Sequence, residues 1–363
     1  TLVGIEDAWR PISLTPDLTL ASLVGLVVPA AALVGFAAVP EERTYALLPV
    51  LLGIAGVSAV LGVAQVLSGE SSPLYFYSIT NNGSAVGLFS NRNHQAVLLA
   101  MSFPLLVLWI RQPAHQPGQR TLRLWVAGAA AVFLVPAVAM TGSRAGLLLA
   151  VVGLGFAWLH FGGFGGKARA AGRASAVVRR FPLLAKAAPV IGGLGVLAMA
   201  AMVSRMEAIE RLFGEAVTED QRIEASATLF QMARDFFPWG SGFGSFDPLF
   251  RVYEPFALLN PRYFNHAHND LAEMAITGGL PALILIAWFL VWAAPRLLTA
   301  FRRPSNARAQ RFAAFSGALI VLVLLSSLVD YPLRTPLMSA LFALGCGWLA
   351  QSGSRSRSPE ERL

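Results

Sequence analysis

Charge and cysteine are what this sequence has least of. Only 13% of its 363 residues are charged, whereas 55% are hydrophobic. A soluble domain of this size needs far more charge on its surface, so the composition excludes a soluble protein and predicts several membrane spans. The single cysteine, Cys346, excludes a disulfide framework and any metal site built from several cysteines.

Nine apolar runs are long enough, or nearly so, to cross a bilayer. We therefore expect an all-α, polytopic membrane protein, with about nine transmembrane helices in a single domain over residues 1–363. The chain begins at Thr1 without a signal-peptide pattern, which predicts either processing or further N-terminal spans. The runs lie at about 18–39, 45–67, 95–110, 123–140, 145–161, 186–203, 280–298, 312–329 and 336–351.

Basic residues, which give the chain a formal net charge of +8, are concentrated in alternate loops. The loops 111–123, 162–186 and 296–311 contain arginine or lysine but no acidic residue. The positive-inside rule therefore predicts that these loops and the tail after 351 are cytoplasmic. Because topology accounts for the basic charge, we expect no nucleic-acid partner. The long segment 204–279 then lies on the outer side.

Segment 204–279 is the only predicted extramembrane piece long enough to fold over the membrane. Thr218 and Gln221 form a capping-box pattern that predicts a helix over 219–236. An apolar stripe on this helix predicts that it lies on the membrane surface or on the other spans. The stripe consists of Ile223, Ala227, Phe230 and Phe237.

Ionisable side chains near the spans gather at the predicted outer ends, and none lies at the centre of a span. The plain structural alternatives are that Arg144 binds lipid phosphate, that Arg222 forms a surface ion pair with Glu219 or Glu224, and that Asn91, Asn93 and His94 cap the third span. The residues are Arg92 and His94 before the third span, Arg144 at the fifth, His266 and His268 before the seventh, and Asp330 and Arg334 between the last two.

The stretch "NHAHND", at 265–270, precedes the seventh span. Asp270 with Glu273 forms a capping-box pattern, so we expect a short helix from 271, a break in "TGGLP" at 277–281, and a span from Pro281. His268 lies just before the helix, where the helix dipole disfavours a cation and a neutral imidazole can accept a proton. A structural cap, or a metal site using Asp270 or Glu273, are the alternatives.

Five stretches resemble, in order, the motif blocks of the O-antigen ligase and polymerase superfamily, and "WRPISLTPDLT" at 9–19 resembles the segment before a middle span of those proteins. Members of the superfamily usually have further N-terminal spans, which suggests that this chain lacks some. The five stretches are "GLFSNRNHQAVLLAMSFPL" (87–105), "TGSRAGLLLA" (141–150), "QRIEASATLFQMARDFFPWGSGFGSF" (221–246), "HAHNDLAEMAITGGLPAL" (266–283) and "SLVDYPLRTP" (327–336).

The resemblance implies a multi-pass enzyme of the bacterial inner membrane that works on the periplasmic side. Such an enzyme moves a glycan from an undecaprenyl-diphosphate carrier in the lipid to a hydroxyl of an acceptor, either another glycan or lipid A–core. It needs neither metal nor nucleotide cofactor, because the diphosphate-linked sugar is already activated. Arg144, Arg222 and His268 match the family positions that bind the diphosphate and activate the acceptor.

Five further residues near these three are expected to bind substrate: His266, Asn269, Arg92, His94 and Arg334. The chemistry is consistent, since attack at an anomeric carbon needs a base and the departing diphosphate needs fixed positive charge.

Three alternatives stay open. The same chemistry would serve a polymerase that extends exopolysaccharide or O-antigen. A secondary transporter belongs to another class, and the uncharged spans disfavour it, although Pro29, Pro104 and Pro136 could unwind helices. A purely structural membrane scaffold is the third alternative.

Overall fold

The computed structural model describes residues 12–162, 216–256, 265–302 and 308–354, and regular secondary structure in these ranges is helical throughout. The α-helices are α1 (Pro16–Gly25), α2 (Val27–Ala38), α3 (Glu41–Thr44), α4 (Leu47–Leu67), α5 (Arg92–Ile110), α6 (Gln119–Met140), α7 (Arg144–Gly162), α8 (Ala216–Phe236), α9 (Phe246–Tyr253), α10 (Asp270–Arg302), α11 (Arg308–Ser327) and α12 (Pro336–Ser354). A short 3₁₀ turn, Pro332–Arg334, precedes α12.

Six stretches of the described chain are long and apolar enough to cross a membrane: Pro16–Ala38, Glu41–Leu67, α5, α6, α10 and α11. Two shorter apolar helices, α7 and α12, coincide with further predicted runs. The predicted run at 186–203 lies outside the described residues. The expected all-α, polytopic membrane fold is therefore confirmed.

The chain divides into two compact units. The first unit comprises Thr1–Ala32, Ala216–Pro295 and Ser327–Ala340, and the second comprises Leu33–Glu215, Arg296–Ser326 and Leu341–Leu363. The loop at 265–270 and the turn at 330–334 belong to the first unit, whereas Arg92, His94 and Arg144 belong to the second.

Helix α8 has one buried face and one exposed face. The buried face packs into an apolar core with α9 and the start of α10. Phe230 and Phe237 of the predicted stripe are 74% and 56% exposed, so they are not part of this core, and the predicted contact of the stripe with a membrane surface stays a prediction. The buried members of this core are Ala225, Met232, Phe246, Leu249, Phe250, Ala267 and Ile276.

The turn after α8 is hydrogen-bonded to the first part of α10. Leu280 N–H donates to the Pro238 carbonyl at 2.7 Å, and Gly242 N–H donates to the Thr277 carbonyl at 2.8 Å. Gly279 adopts φ 56° and ψ −150°, a conformation that is essentially restricted to glycine. The break predicted within 277–281 is thus present at Gly279, where the turn meets α10.

Two predicted helix starts are wrong by a few residues. Helix α8 begins at Ala216 rather than at 219. Helix α10 begins at Asp270 rather than at 271, because the Asn269 side chain accepts the Ala272 N–H at 3.0 Å and caps the helix. Asp270 and Glu273 therefore do not form the capping box that their spacing predicted.

In the second unit, α5 is the central helix and packs closely against α7. Two glycines of α7 allow this approach: a Cβ on Gly146 would collide with the Ala96 side chain, and one on Gly153 would lie 2.6 Å from the Ala100 carbonyl oxygen. Small residues at such contacts let apolar helices pack without a gap. The packing fixes the ends of α5 and α7, where Arg92 and Arg144 lie.

Gln65 in α4 fastens the loop that leads to α5. Its side-chain oxygen accepts the N–H groups of Val86 and Gly87 at 3.2 and 2.8 Å. Its amide nitrogen donates to the carbonyls of Leu74 and Gly87 at 2.9 and 3.0 Å. Because Gln65 is fully buried, these four bonds satisfy polar groups that would otherwise be costly in an apolar region. The loop before Arg92 is therefore held in one conformation.

Candidate active site

His268 is held in an unusual backbone conformation just before α10. It has φ 49°, the one positive φ among non-glycine residues in the described part of the chain. Such a conformation is unfavourable for a residue with a Cβ and persists only where the surroundings impose it. The side chain is about one-fifth exposed, so part of the ring is accessible while the surrounding protein restricts its rotation.

Asp330 lies against the His268 ring. Its Oδ1 is 3.1 Å from His268 Nδ1, and the carboxylate side chain is only 2% exposed. An ionised carboxylate can only accept, so Nδ1 carries the proton and the lone pair of the neutral ring lies on Nε2. This is the arrangement in which a buried carboxylate orients a catalytic histidine.

His266 has a carboxylate partner of its own. Glu273 Oε1 lies 3.0 Å from His266 Nδ1, and Glu273 Oε2 accepts the Ala267 N–H at 2.9 Å. The Glu273 side chain is 1% exposed. One buried carboxylate in the first turn of α10 therefore holds both the His266 ring and the backbone of the loop.

Tyr331 contacts both imidazoles. Its ring centroid lies 4.1 Å from that of His266 and 5.2 Å from that of His268, the latter edge-to-face. The Asn265 side-chain amide donates to the Tyr331 hydroxyl at 3.4 Å. The turn that supplies Asp330 thus also supplies the aromatic surface against which the two histidines pack.

Arg334 forms ion pairs with two acidic residues of α10. Its Nε lies 3.3 Å from Asp270 Oδ1, and its Nη2 lies 3.3 Å from Glu273 Oε1. The Arg334 side chain is 19% exposed and its partners are 12% and 1% exposed. These contacts link the 330–334 turn to α10, and substrate binding by Arg334 stays a prediction.

In the second unit, Arg92 and Arg144 open neighbouring helices. Arg92 N–H donates to Asn81 Oδ1 at 3.0 Å, and its guanidinium lies beside Gly142, where an added Cβ would be 3.6 Å from Nη1. Ser143 caps α7 by accepting the Gly146 N–H at 2.9 Å. The Arg144 side chain is exposed at the first position of that helix. The structure thus brings Arg92 and the start of α7 together.

His94 is buried rather than presented at a surface. It is 1% exposed and lies edge-to-face against Phe89, with ring centroids 6.1 Å apart. Asn91 caps α5 by accepting the Asn93 N–H at 2.8 Å, so the capping alternative holds for Asn91. Substrate binding by His94 stays a prediction.

Arg222 belongs to α8, but its side chain lies outside the described residues. The acidic neighbours considered as its surface partners, Glu219 and Glu224, lie in the same part of the helix. Among the side chains that the structure describes, no group of three or more His, Cys, Asp and Glu is arranged to hold a metal ion.

Part of the chain matches a known protein family. Residues 129–287 match the family model described as O-antigen ligase, and they include Arg144, Arg222 and the 265–270 loop. These residues are an O-antigen ligase domain. The resemblance that the five motif blocks predicted is therefore confirmed. No curated protein sequence matches the chain.

An O-antigen ligase domain in a polytopic chain indicates a membrane protein of polysaccharide biosynthesis, a glycosyltransferase-like enzyme that acts on glycan and lipid-linked substrates. Asp330 and Tyr331 lie beyond the matched range but contact its histidines, and Arg334 pairs with its Asp270 and Glu273. Sequence reasoning noticed Asp330 as a charge near a span end, yet it gave no partner for it. The 62-residue separation from His268 is why no local pattern could supply one.

Proposed function

We propose that this protein transfers a glycan from an undecaprenyl-diphosphate carrier to an acceptor hydroxyl at the periplasmic face of the inner membrane. The observation that carries the proposal is the contact between His268 Nδ1 and Asp330 Oδ1 at 3.1 Å. It supplies an oriented imidazole whose Nε2 can accept a proton, which is what attack by a hydroxyl requires. The O-antigen ligase domain over 129–287 supports the choice of glycan transfer.

In the proposed step, His268 Nε2 takes the proton of the acceptor hydroxyl as its oxygen attacks the anomeric carbon of the donor. The new carbon–oxygen bond forms as the bond from that carbon to the diphosphate breaks, and the electron pair leaves with the diphosphate. Asp330 stabilises the imidazolium that results, and the ring then releases its proton to water. No redox change occurs, and the diphosphate leaving group supplies the driving force.

The diphosphate carries increasing negative charge as the bond breaks, and we assign its stabilisation to Arg144 and Arg222. This assignment rests on their match to the family motifs. Arg144 is an exposed arginine at the N-terminus of α7, where the helix dipole also favours an anion. A planar guanidinium can hold phosphate oxygens with two parallel hydrogen bonds. Among the remaining candidates, His266, Asn269, Arg92 and His94 are proposed to line the substrate.

A transfer assay with the purified protein in lipid vesicles tests the proposal. The donor is a glycan on undecaprenyl diphosphate, and the acceptors are lipid A–core in one series and the free glycan chain in another. We expect His268→Ala to lower the transfer rate by about 10²–10⁴-fold, the usual contribution of a general base, while the protein still binds donor. His266→Ala should cost less, and the exposed His115→Ala serves as a matched control.

Three further readings separate the alternatives. Added chelator should leave the rate unchanged, because no metal takes part in the proposed step. Transfer to lipid A–core indicates a ligase, and lengthening of the free glycan indicates a polymerase. Loss of activity with chelator, or full activity of His268→Ala, would overturn the proposal. Solute uptake by the vesicles that persists in His268→Ala would favour a transporter.

A further inference from the structure

Large aromatic side chains are exposed on α8 and on the turn that follows it. Phe230, within the helix, and Phe237, directly after its last residue, are 74% and 56% exposed. Trp239, in the turn that follows, is 69% exposed. We call these three residues the aromatic ledge. The opposite face of α8, with Met232 fully buried, already accounts for the folding of the helix.

The ledge adjoins the point where the long helix α10 becomes membrane-spanning. At 1.5 Å per residue, the 23 residues after the break, 280–302, extend about 35 Å, which is enough to cross the hydrocarbon core of a bilayer, about 30 Å thick. The turns before the break hold Asp270 and Glu273, so they lie outside the hydrocarbon. The break at Gly279 separates those turns from the apolar part that begins at Leu280.

Backbone hydrogen bonds fix the ledge at the level of this boundary. Leu280 N–H donates to the Pro238 carbonyl at 2.7 Å, which places the residue next to Trp239 against the first residue of the apolar part. The apolar part of α10 exposes Leu280, Ile284 and Trp288 by 42%, 57% and 71%. The exposed surface of Trp239 is thus continuous along the chain with a surface that faces lipid.

We infer that Phe230, Phe237 and Trp239 sit in the interfacial layer of the bilayer, so that a phospholipid surface is the partner of the outer face of α8. Tryptophan and other aromatic side chains favour that layer, since one part of the ring system is apolar and the surroundings remain wet. Arg234 lies between the two phenylalanines in the sequence and is 74% exposed, with its Nε 3.6 Å from Asp235 Oδ1. An exposed arginine at this level can donate hydrogen bonds to lipid phosphates. The inference is independent of the glycan-transfer proposal.

The position of the aromatic ledge in the interfacial layer has a structural consequence. Helix α8 and the 265–270 loop share one apolar core, through Ala225 and Met232 on one side and Ala267 on the other. Contact of α8 with the lipid surface therefore fixes how far His268 stands from the headgroups. A lipid-linked substrate presents its diphosphate at that level.

Fluorophore labelling of single cysteines tests the inference directly. In a Cys346→Ala background, cysteines are introduced by Phe230→Cys, Phe237→Cys or Trp239→Cys and labelled with an environment-sensitive dye. Arg251→Cys, on an exposed part of α9 in the same unit, is the water-side control, and Ile284→Cys is the bilayer control. The proteins are reconstituted in phosphatidylethanolamine–phosphatidylglycerol vesicles and quenched with iodide or with lipids spin-labelled near the headgroup or deep in the chain.

We expect dyes at the three ledge positions to be quenched most strongly by the shallow spin label, and iodide to quench them several-fold less than at position 251. Quenching by iodide equal to that at 251 would put the ledge in water and overturn the inference. Protection from iodide and from both lipid labels would also overturn it, because a protein surface, such as a second copy, would then cover the ledge.

The unsubstituted protein provides a second measurement that no folding defect can affect. Reconstituted with a phospholipid that carries a photoactivatable group near its headgroup, it should yield lipid-crosslinked peptides that contain Phe230 or Trp239. The peptide that contains Arg251 should be labelled several-fold less. Equal labelling of the two peptides would contradict the interfacial position.

Discussion

Each of the two histidines in the 265–270 loop has its own buried carboxylate, His266 with Glu273 and His268 with Asp330. The two pairs differ in their surroundings. Glu273 also accepts a backbone N–H and pairs with Arg334, so its charge is shared among several donors. The Asp330 carboxylate lies 3.1 Å from His268 Nδ1, where it can stabilise an imidazolium.

Asp330→Asn tests whether the carboxylate acts through His268. The amide keeps the size of the side chain but can neither stabilise an imidazolium nor impose one tautomer, so we expect transfer to fall by up to about 10⁴-fold, as in a Ser–His–Asp triad. The double variant with His268→Ala should be no slower than His268→Ala alone, because the two residues act as one unit. Asp247→Asn, on exposed α9, is the control. Additive losses in the double variant would contradict coupling.

The proposed diphosphate contacts make a second prediction. Arg144→Lys and Arg222→Lys keep a positive charge but lose the planar fork, so transfer should fall strongly while the protein still inserts into the membrane. Arg123→Lys, in a loop predicted to be cytoplasmic, is the matched control. Rates close to that of the unsubstituted protein in both lysine variants would favour simple anchoring of the two arginines to lipid.

The variant Arg334→Gln distinguishes two roles for Arg334, substrate binding and positioning of the 265–270 loop. If it positions the loop, Arg334→Gln leaves Asp270 and Glu273 without their cation, and the free energy of unfolding should fall by about 3–5 kcal/mol. Thermal unfolding in detergent measures this loss. A raised KM for donor with unchanged thermal stability would instead indicate that Arg334 binds substrate.

At the scale of elements, the first unit depends on the junction between the turn after α8 and the break in α10. Gly240 and Gly279 approach each other there, and a Cβ on Gly279 would lie 2.6 Å from the Gly240 nitrogen. The same junction holds the loop that precedes α10, because Ile276 and Ala267 share its core. A substitution at Gly279 is therefore expected to disturb both the path of α10 and the position of the two histidines.

Gly279→Ala should be destabilising, since φ 56° and ψ −150° are strained for any residue with a Cβ and the added methyl has no space. A cost of about 1–3 kcal/mol is expected from the backbone alone, seen as a lower unfolding temperature in detergent, together with reduced transfer. Gly155→Ala is the matched control: Gly155 lies inside α7 with nothing within 4 Å of an added Cβ. If both variants unfold at the same temperature, the close approach at Gly279 does not contribute to the stability of the protein.

At the scale of the whole molecule, the side of the membrane that α9 faces decides where the reaction occurs. The basic loops predict that the 204–279 segment is periplasmic and that residue 170 is cytoplasmic. Arg251, which is 58% exposed, is a suitable reporter, whereas its neighbour Phe250 is 1% exposed. In whole cells, a cysteine at 251 should react with an impermeant reagent and one at 170 should not. The reverse pattern would overturn both the topology and the periplasmic site.

Local patterns predicted the helices, the break near Gly279 and the importance of the 265–270 loop, because hydrophobic runs and glycine or proline breaks act over short stretches of chain. They failed where two local signals competed. Asn269 and Asp270 can both cap a helix, and the structure uses Asn269. The stripe of Phe230 and Phe237 lies outside the apolar core of the first unit, and its contact with the membrane surface or the other spans stays a prediction.

The sequence by itself determined that the chain is an all-α membrane protein, since composition and hydrophobic runs need no third dimension, and it predicted His268 as the centre of the chemistry. Only the tertiary structure decided that Asp330 contacts His268, that Glu273 contacts His266, and that Arg334 pairs with acidic residues of α10. The physical reason is distance along the chain. Asp330 and His268 are 62 residues apart, and only the packing of α10 against the turn before α12 within the first unit makes them neighbours.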